Sequence, residues 1–193
     1  MWDYKAQIDE ELFKVPRPGM KALIDYLHKS DYFTAPASRQ NHECEAGGLS
    51  YHSWKVFRLL SHKAKIYKLP LSEDTIRITG LLHDVCKIDF YVRGMKWYKD
   101  ESTGNQWRQR EEWQIKDSFP IGHGEKSVIR IQSYVQLTEQ EILMIRWHMG
   151  AFDAQVASYE GGMAFRNAIQ LCPSIIALAC ADWESSFENL KND

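Results

Sequence analysis

Six ionisable side chains stand where helical spacing calls for apolar core residues, and no other feature restricts the fold of this chain as much. His52 lies on the stripe made by Val56, Leu59, Leu60 and Ala64, in a helix predicted over about 50–67. His83 and Asp84 follow the Leu81-Leu82 pair, and His123 sits between Gly122 and Gly124. His148 closes an apolar run, and Asp182 ends the segment SIIALACA, which is apolar on every side. A lone carboxylate in such company costs several kcal/mol unless a partner or a metal compensates it. The fold must therefore gather these groups or pair each one separately. Four imidazoles and two carboxylates form a ligand set for hard-to-borderline divalent ions, and no thiolate is needed.

The rest of the composition narrows the setting. A chain of 193 residues with 44% apolar and 12% aromatic residues can bury a core of its own, so one domain over 1–193 is expected. Lys and Arg number 24 against 26 Asp and Glu, a net charge of −2 that provides no global field for a phosphate backbone. Stable duplex-DNA binding is not expected. The four cysteines contain no C-x-x-C pair, which excludes a thiolate zinc knuckle and a thioredoxin motif and fits a reducing compartment. The N-terminal MWDYKAQIDEELFK has no apolar signal region. The longest apolar-rich stretch, 167–181, is short and interrupted by Gln170, Pro173 and Ser174, so no membrane span and a cytoplasmic location are expected.

Helical periodicity dominates the chain. Residues 1–33 are expected as a helical extension containing KALIDYLHKS, followed by a long aperiodic loop to Gly48. Ser72, with Glu73 and Asp74 in the first turn, opens a helix that the pattern carries through Leu82 into His83-Asp84. If the helix continues, His83 and Lys87 lie one turn apart and Gly80 leaves room for a close approach. Residues 89–117 alternate, are rich in aromatics, and break at DESTGN, which predicts a β-hairpin. Its Trp97, Trp107 and Trp113 are expected to pack on the helices; stacking of a nucleic-acid base on them, or on Trp147, is the other use of such residues. Helices resume from about Gly124 to Val135, from the capping-box pair Thr138 and Glu141 to Gly150, and from near Pro173.

The order His…His-Asp…His…His…Asp, carried by AGGLSYHSWKV, LLHDVCKI, FPIGHGEKSV, IRWHMG and ACADWESS, resembles the HD superfamily in its six-ligand form over about 34–187. The resemblance implies an all-α HD-type helical bundle with the hairpin as an insertion. It also implies two divalent ions, drawn from Fe, Mn, Zn, Ni or Mg. His52, His83, Asp84 and Asp182 would hold the first, and Asp84, His123 and His148 the second. Asp84 and Lys87 would be catalytic, with Lys87, His42 and Lys126 facing the substrate and Glu125 supporting them. Taken singly, each of these residues also fits a bland role: a satisfied core imidazole, a turn, or a solvated charge. The run from Lys55 to Lys68 holds five Lys or Arg and no acid, and is either a phosphate-attracting face or a solvated helix side.

The expected activity is metal-dependent hydrolysis of a phosphate ester, with a small phosphorylated molecule such as a nucleotide as partner. Two other activities share the ligand set: a di-iron oxygenase, and a 3′-to-5′ exonuclease-like phosphodiesterase. Exoribonuclease relatives carry an extra nucleic-acid-binding module for which 193 residues leave no room. A non-catalytic sensor on the same fold would be expected to have lost one of the six ligands.

Overall fold

A computed structural model describes residues 4–40 and 43–187. The order is α1 (Lys5–Phe13), α2 (Met20–Lys29), α3 (Gly48–Tyr67), α4 (Glu73–Leu82), β1 (Tyr91–Asp100), β2 (Gln106–Ile115), α5 (His123–Gln132), α6 (Glu139–Arg146), α7 (Tyr159–Leu171) and α8 (Ser174–Phe187). Short 3-10 turns lie at Val85–Lys87, Glu101–Thr103, Gly150–Phe152 and Ala154–Ala157. The predicted all-helical body with one antiparallel hairpin is what forms. Among the described residues no single helix is long and apolar enough to cross a membrane.

Local chemistry sets the helix starts. The Ser72 hydroxyl accepts the Thr75 amide at the head of α4, and Thr138 and Glu141 close a reciprocal capping box at the head of α6. Glu141 does more than cap. Its buried carboxylate also accepts both Arg17 guanidinium nitrogens, at 2.7 and 2.8 Å, and the Thr75 hydroxyl at 3.1 Å. This one anion ties the connector between α1 and α2 to α4 and α6. Ile8 and Leu12 of α1 and Leu23, Ile24 and Leu27 of α2 join the same apolar cluster as Leu60, Leu82, Ile145 and Leu178.

Helix α3 packs along both α4 and α8, while α5 packs on α6. Two glycines set these distances. A Cβ on Gly80 would lie 2.7 Å from the Phe57 Cα, so the close approach that Gly80 allows is that of the α3 backbone. A Cβ on Gly124 would lie 2.2 Å from the Arg146 carbonyl oxygen. Each close approach brings a histidine of one helix toward a histidine belonging to the next.

Three expectations are corrected. Helix α4 stops at Leu82, because Asp84 leaves helical geometry at φ −108° and ψ 17° and a 3-10 turn follows. Helix α6 stops at Arg146, short of Gly150, and His148 lies in the turn beyond it. Packing of the hairpin on the body holds for Trp113, whose indole N–H donates to the Cys44 carbonyl at 2.7 Å; Trp97 and Trp107 are 59% and 62% exposed. Helix α7 forms despite Gly161 and Gly162.

Gly80→Ala and Gly124→Ala should each cost about 1–3 kcal/mol, because backbone faces the added methyl and must move. Urea unfolding midpoints check this, and an unchanged midpoint for both would contradict the packing described.

Candidate metal centre

The imidazoles are oriented before any ion is considered. His83 Nδ1 lies 3.0 Å from the Gly80 carbonyl oxygen and His148 Nδ1 lies 2.6 Å from the Ile145 carbonyl oxygen. A carbonyl only accepts, so both Nδ1 atoms carry the hydrogen and, in the neutral rings, both Nε2 atoms keep a lone pair. His52 reaches the same state by one more step. Ser185 donates its hydroxyl hydrogen to the Asp182 carbonyl at 2.7 Å, which leaves its oxygen to accept from His52 Nδ1 at 3.0 Å. Two helix ends and one borrowed hydroxyl thus aim three Nε2 atoms inward.

Those atoms converge on carboxylates. His52 Nε2 lies 3.3 Å from His83 Nε2, 3.0 Å from Asp182 Oδ1 and 3.5 Å from Asp84 Oδ2. His83 Nε2 lies 3.6 Å from Asp84 Oδ2 and 3.9 Å from Asp182 Oδ1. The other Asp84 oxygen, Oδ1, faces a second pair: His123 Nε2 at 2.7 Å and His148 Nε2 at 3.5 Å. Three overlapping groups can hold an ion: His52, His83 and Asp84; His83, His148 and Asp182; and Asp84, His123 and His148. His148 Nε2 is buried with no hydrogen-bond partner among the described residues. Nature rarely leaves such an atom stranded, and a lone pair aimed into a ring of carboxylates fits a cation.

Charge is finely matched around the cluster. Burial would raise the Asp84 carboxyl, yet the Lys87 ammonium, 2.6 Å from Oδ2, and the imidazoles beside it hold it well below the usual range. Burial likewise opposes the Asp182 anion, and His52 outweighs it. Burial pushes His83 down to about 3 despite the adjacent Asp84. It also opposes the His52 cation, but Asp182 and Glu43 prevail and raise that imidazole to about 9. For His123, the Cys86 sulfur and Asp84 overcome burial and raise the ring to about 10.

The other residues singled out in the sequence are placed as follows. Lys87 reaches the cluster, though from a 3-10 turn and not from a continued helix. Lys126 is buried; its ammonium binds Asp117 at 2.6 Å and lies over the Phe90 ring, and no ion pair joins it to the six among the described residues. Glu125 pairs with Arg146 at 2.6 Å. His42 lies outside the described residues. Trp147 is buried against Phe165 and Arg146, so its surface is not open to a base. Lys55, read as part of a cationic face, is buried on Glu43 and on the Ser185 carbonyl.

Four further residues support these groups. Ser185 fixes His52, and Glu43 stands 3.6 Å from its Nδ1. Cys86 Sγ lies 3.2 Å from His123 Nε2. Arg130 of α5 donates to the Val85 and Ile88 carbonyls at 2.8 Å and clamps the turn that carries Asp84 and Lys87. Only Ser185, one helical turn after Asp182, had a signal in the spacing.

A family model described as HD domain matches residues 49–183, the span from the start of α3 to just past Asp182. No curated protein and no solved structure matches the chain.

The raised His52 and His123 carry protons at pH 7 that an incoming cation must displace, so metal affinity should fall as pH drops below about 9. Loading at pH 7 should release about two protons per chain. Calorimetry in buffers of different ionisation enthalpy measures the number, and a value near zero contradicts the assignment. In the metal-free chain the same two imidazoles contribute stability in full below their ordinary value of 6.5 and lose it as pH rises through about 9 to 10.

Proposed function

The chain belongs to the HD domain family, a family of metal-dependent phosphohydrolases, and on that premise we propose that it hydrolyses a phosphate ester at a pair of divalent ions. One ion would be held by His52, His83, Asp84 and Asp182, and the other by Asp84, His123 and His148. The observation that carries this reading is Asp84: a buried carboxylate whose two oxygens face two different imidazole pairs. A carboxylate so placed suits a bridge between two cations.

The chemistry that bound ions supply here is Lewis acidity, which acidifies a water toward neutral pH and offsets charge on a phosphoryl oxygen. The chain supplies the rest. Lys87 holds Asp84 Oδ2 with one of its three N–H donors, and the remaining donors are available to a phosphate oxygen of the substrate. The Nδ1 anchors on Gly80, Ile145 and Ser185 keep the Nε2 atoms in place without reorganisation. The nitrogen-rich set suits Mn, Fe, Ni or Zn better than Mg, which prefers oxygen ligands. Four free cysteines support a reducing cytoplasmic setting.

Asp84→Ala should lose both the ions and turnover while its helical circular dichroism remains. Lys87→Ala should keep the ions and lose about 10- to 100-fold in rate, the usual scale for a group acting beside the ligands. Elemental analysis and a screen of phosphomonoesters, cyclic nucleotides and short oligonucleotides read both. Oxygen uptake by the iron-loaded chain without ester hydrolysis would replace this reading with an oxygenase.

A further inference from the structure

The hairpin has two unlike faces, and the strand register assigns every residue to one of them. Arg93 pairs with Trp113, Trp97 with Gln109 and Lys99 with Trp107. Because side chains alternate, Tyr91, Trp97, Trp107 and Trp113 all project from the same face, together with Arg93 and Lys99. Trp97 and Trp107 are diagonal neighbours across the strands. Both rings are more than half exposed, a large area of aromatic surface to leave facing water.

Charge separates the faces further. On the opposite face Lys96 and Arg110 pair with Glu112, and Arg108 pairs with Asp100. On the tryptophan face neither Arg93 nor Lys99 forms an ion pair among the described residues. Instead the Arg93 guanidinium sits 4.0 Å from the Trp113 ring centroid, and Lys99 Nζ 5.4 Å from that of Trp107. The face's one carboxylate is Glu111, opposite Met95. Unpaired cations interleaved with tryptophans match a ligand that alternates phosphates and flat rings. A second copy of this chain would fit less well, since it would bring two unpaired cations per chain against one acid per chain.

The face also leads to the metal centre. Its first residue, Tyr91, lies four positions after Lys87 and within electrostatic reach of Lys87 and Asp84. Its root is fixed by the Trp113 bond to Cys44, next to the Glu43 that supports His52. Ten residues per strand give the arm a length of about 33 Å.

We propose that the tryptophan face is a binding arm for single-stranded nucleic acid, and that the ester cleaved at the metal centre belongs to an oligonucleotide lying along it. The second clause rests on the phosphohydrolase reading above. The arm would supply base stacking and phosphate contacts from the hairpin itself.

The test uses the metal-loaded full chain and phosphorothioate-linked oligouridylates and oligothymidylates of about two to about twelve nucleotides. Affinity should rise with length to a plateau, with quenching of tryptophan fluorescence. Trp97→Ala/Trp107→Ala should weaken the longest oligomer by about tenfold or more. Arg93→Gln/Lys99→Gln should flatten the slope of log K against log salt by roughly 0.7 for each phosphate no longer neutralised. Tyr159→Ala, 83% exposed and outside this face, is the control and should bind as the parent does. Length-independent affinity that the tryptophan variant leaves unchanged overturns the arm. A dimer in sedimentation that the same variant dissociates also overturns it and makes the face a self-association surface. Hydrolysis of small esters without oligonucleotide binding overturns the arm alone; oligonucleotide binding with no hydrolysis of any ester overturns the phosphohydrolase reading instead.

Discussion

The rest of the structure is arranged around the burial of one carboxylate. Asp84 is 2% exposed, and an anion taken that far from water must be met on both oxygens. Five separate segments answer. Helix α3 brings His52, the end of α4 brings His83, the 3-10 turn brings Lys87, the head of α5 brings His123, and the turn after α6 brings His148. Helix α8 adds a second buried acid, Asp182, which shares His52 and His83 with Asp84. Each segment is amphipathic and would bury its apolar stripe in any bundle. The requirement to satisfy Asp84 selects one bundle, because only one set of interhelical distances lets all five cationic or nitrogen groups arrive together. Gly80 and Gly124 make two of those distances attainable.

Why the ligands stand at helix ends follows from the backbone. The last carbonyls of a helix lack intrahelical partners. His83 and His148 supply them from Nδ1, and that bond fixes both the ring plane and the tautomer. The same hydrogen bond therefore finishes a helix and prepares a ligand. A histidine placed in mid-helix has to borrow a hydroxyl, and His52 does so from Ser185 across the α3–α8 interface.

Legibility in the sequence divides along the range of the forces involved. Periodicity and capping are local, so α3, the capping box of α6 and the hairpin strands lie close to where spacing puts them. The ends of α4 and α6 are set by side chains bonding back to carbonyls, and an apolar pattern running up to His83 and His148 conceals that. Whether a charge is buried is set by distant partners: Lys55 belongs to a cationic run in sequence, yet Glu43 and the Ser185 carbonyl take it inside. The six ionisable residues are visible as misfits on apolar stripes, whereas Cys86 and Arg130 carry no such mark, one passing as a small hydrophobe and the other as helix surface. The hairpin is an intermediate case. Alternation predicts its strands, but the segregation of all three tryptophans to one face depends on the cross-strand register, which the five-residue turn 101–105 fixes.

Charge balance at the centre also bears on what kind of molecule it receives. Around the six ligands stand three acids shielded from water, Asp84, Asp182 and Glu43, and two ammonium groups, Lys87 and Lys55. With neutral imidazoles that inventory is short by one positive charge, and the protons held by the raised His52 and His123 carry it to an excess of about one. Exchanging those protons for the two divalent ions proposed above turns a nearly neutral cluster into one with an excess of about three positive charges, a state that a low-dielectric interior stabilises only with an added anion. A phosphate ester brings one or two negative charges to the one side of the cluster where Lys87 leaves donors uncommitted. A neutral substrate would leave the excess standing, so a core loaded with the two proposed ions would favour an anionic ligand.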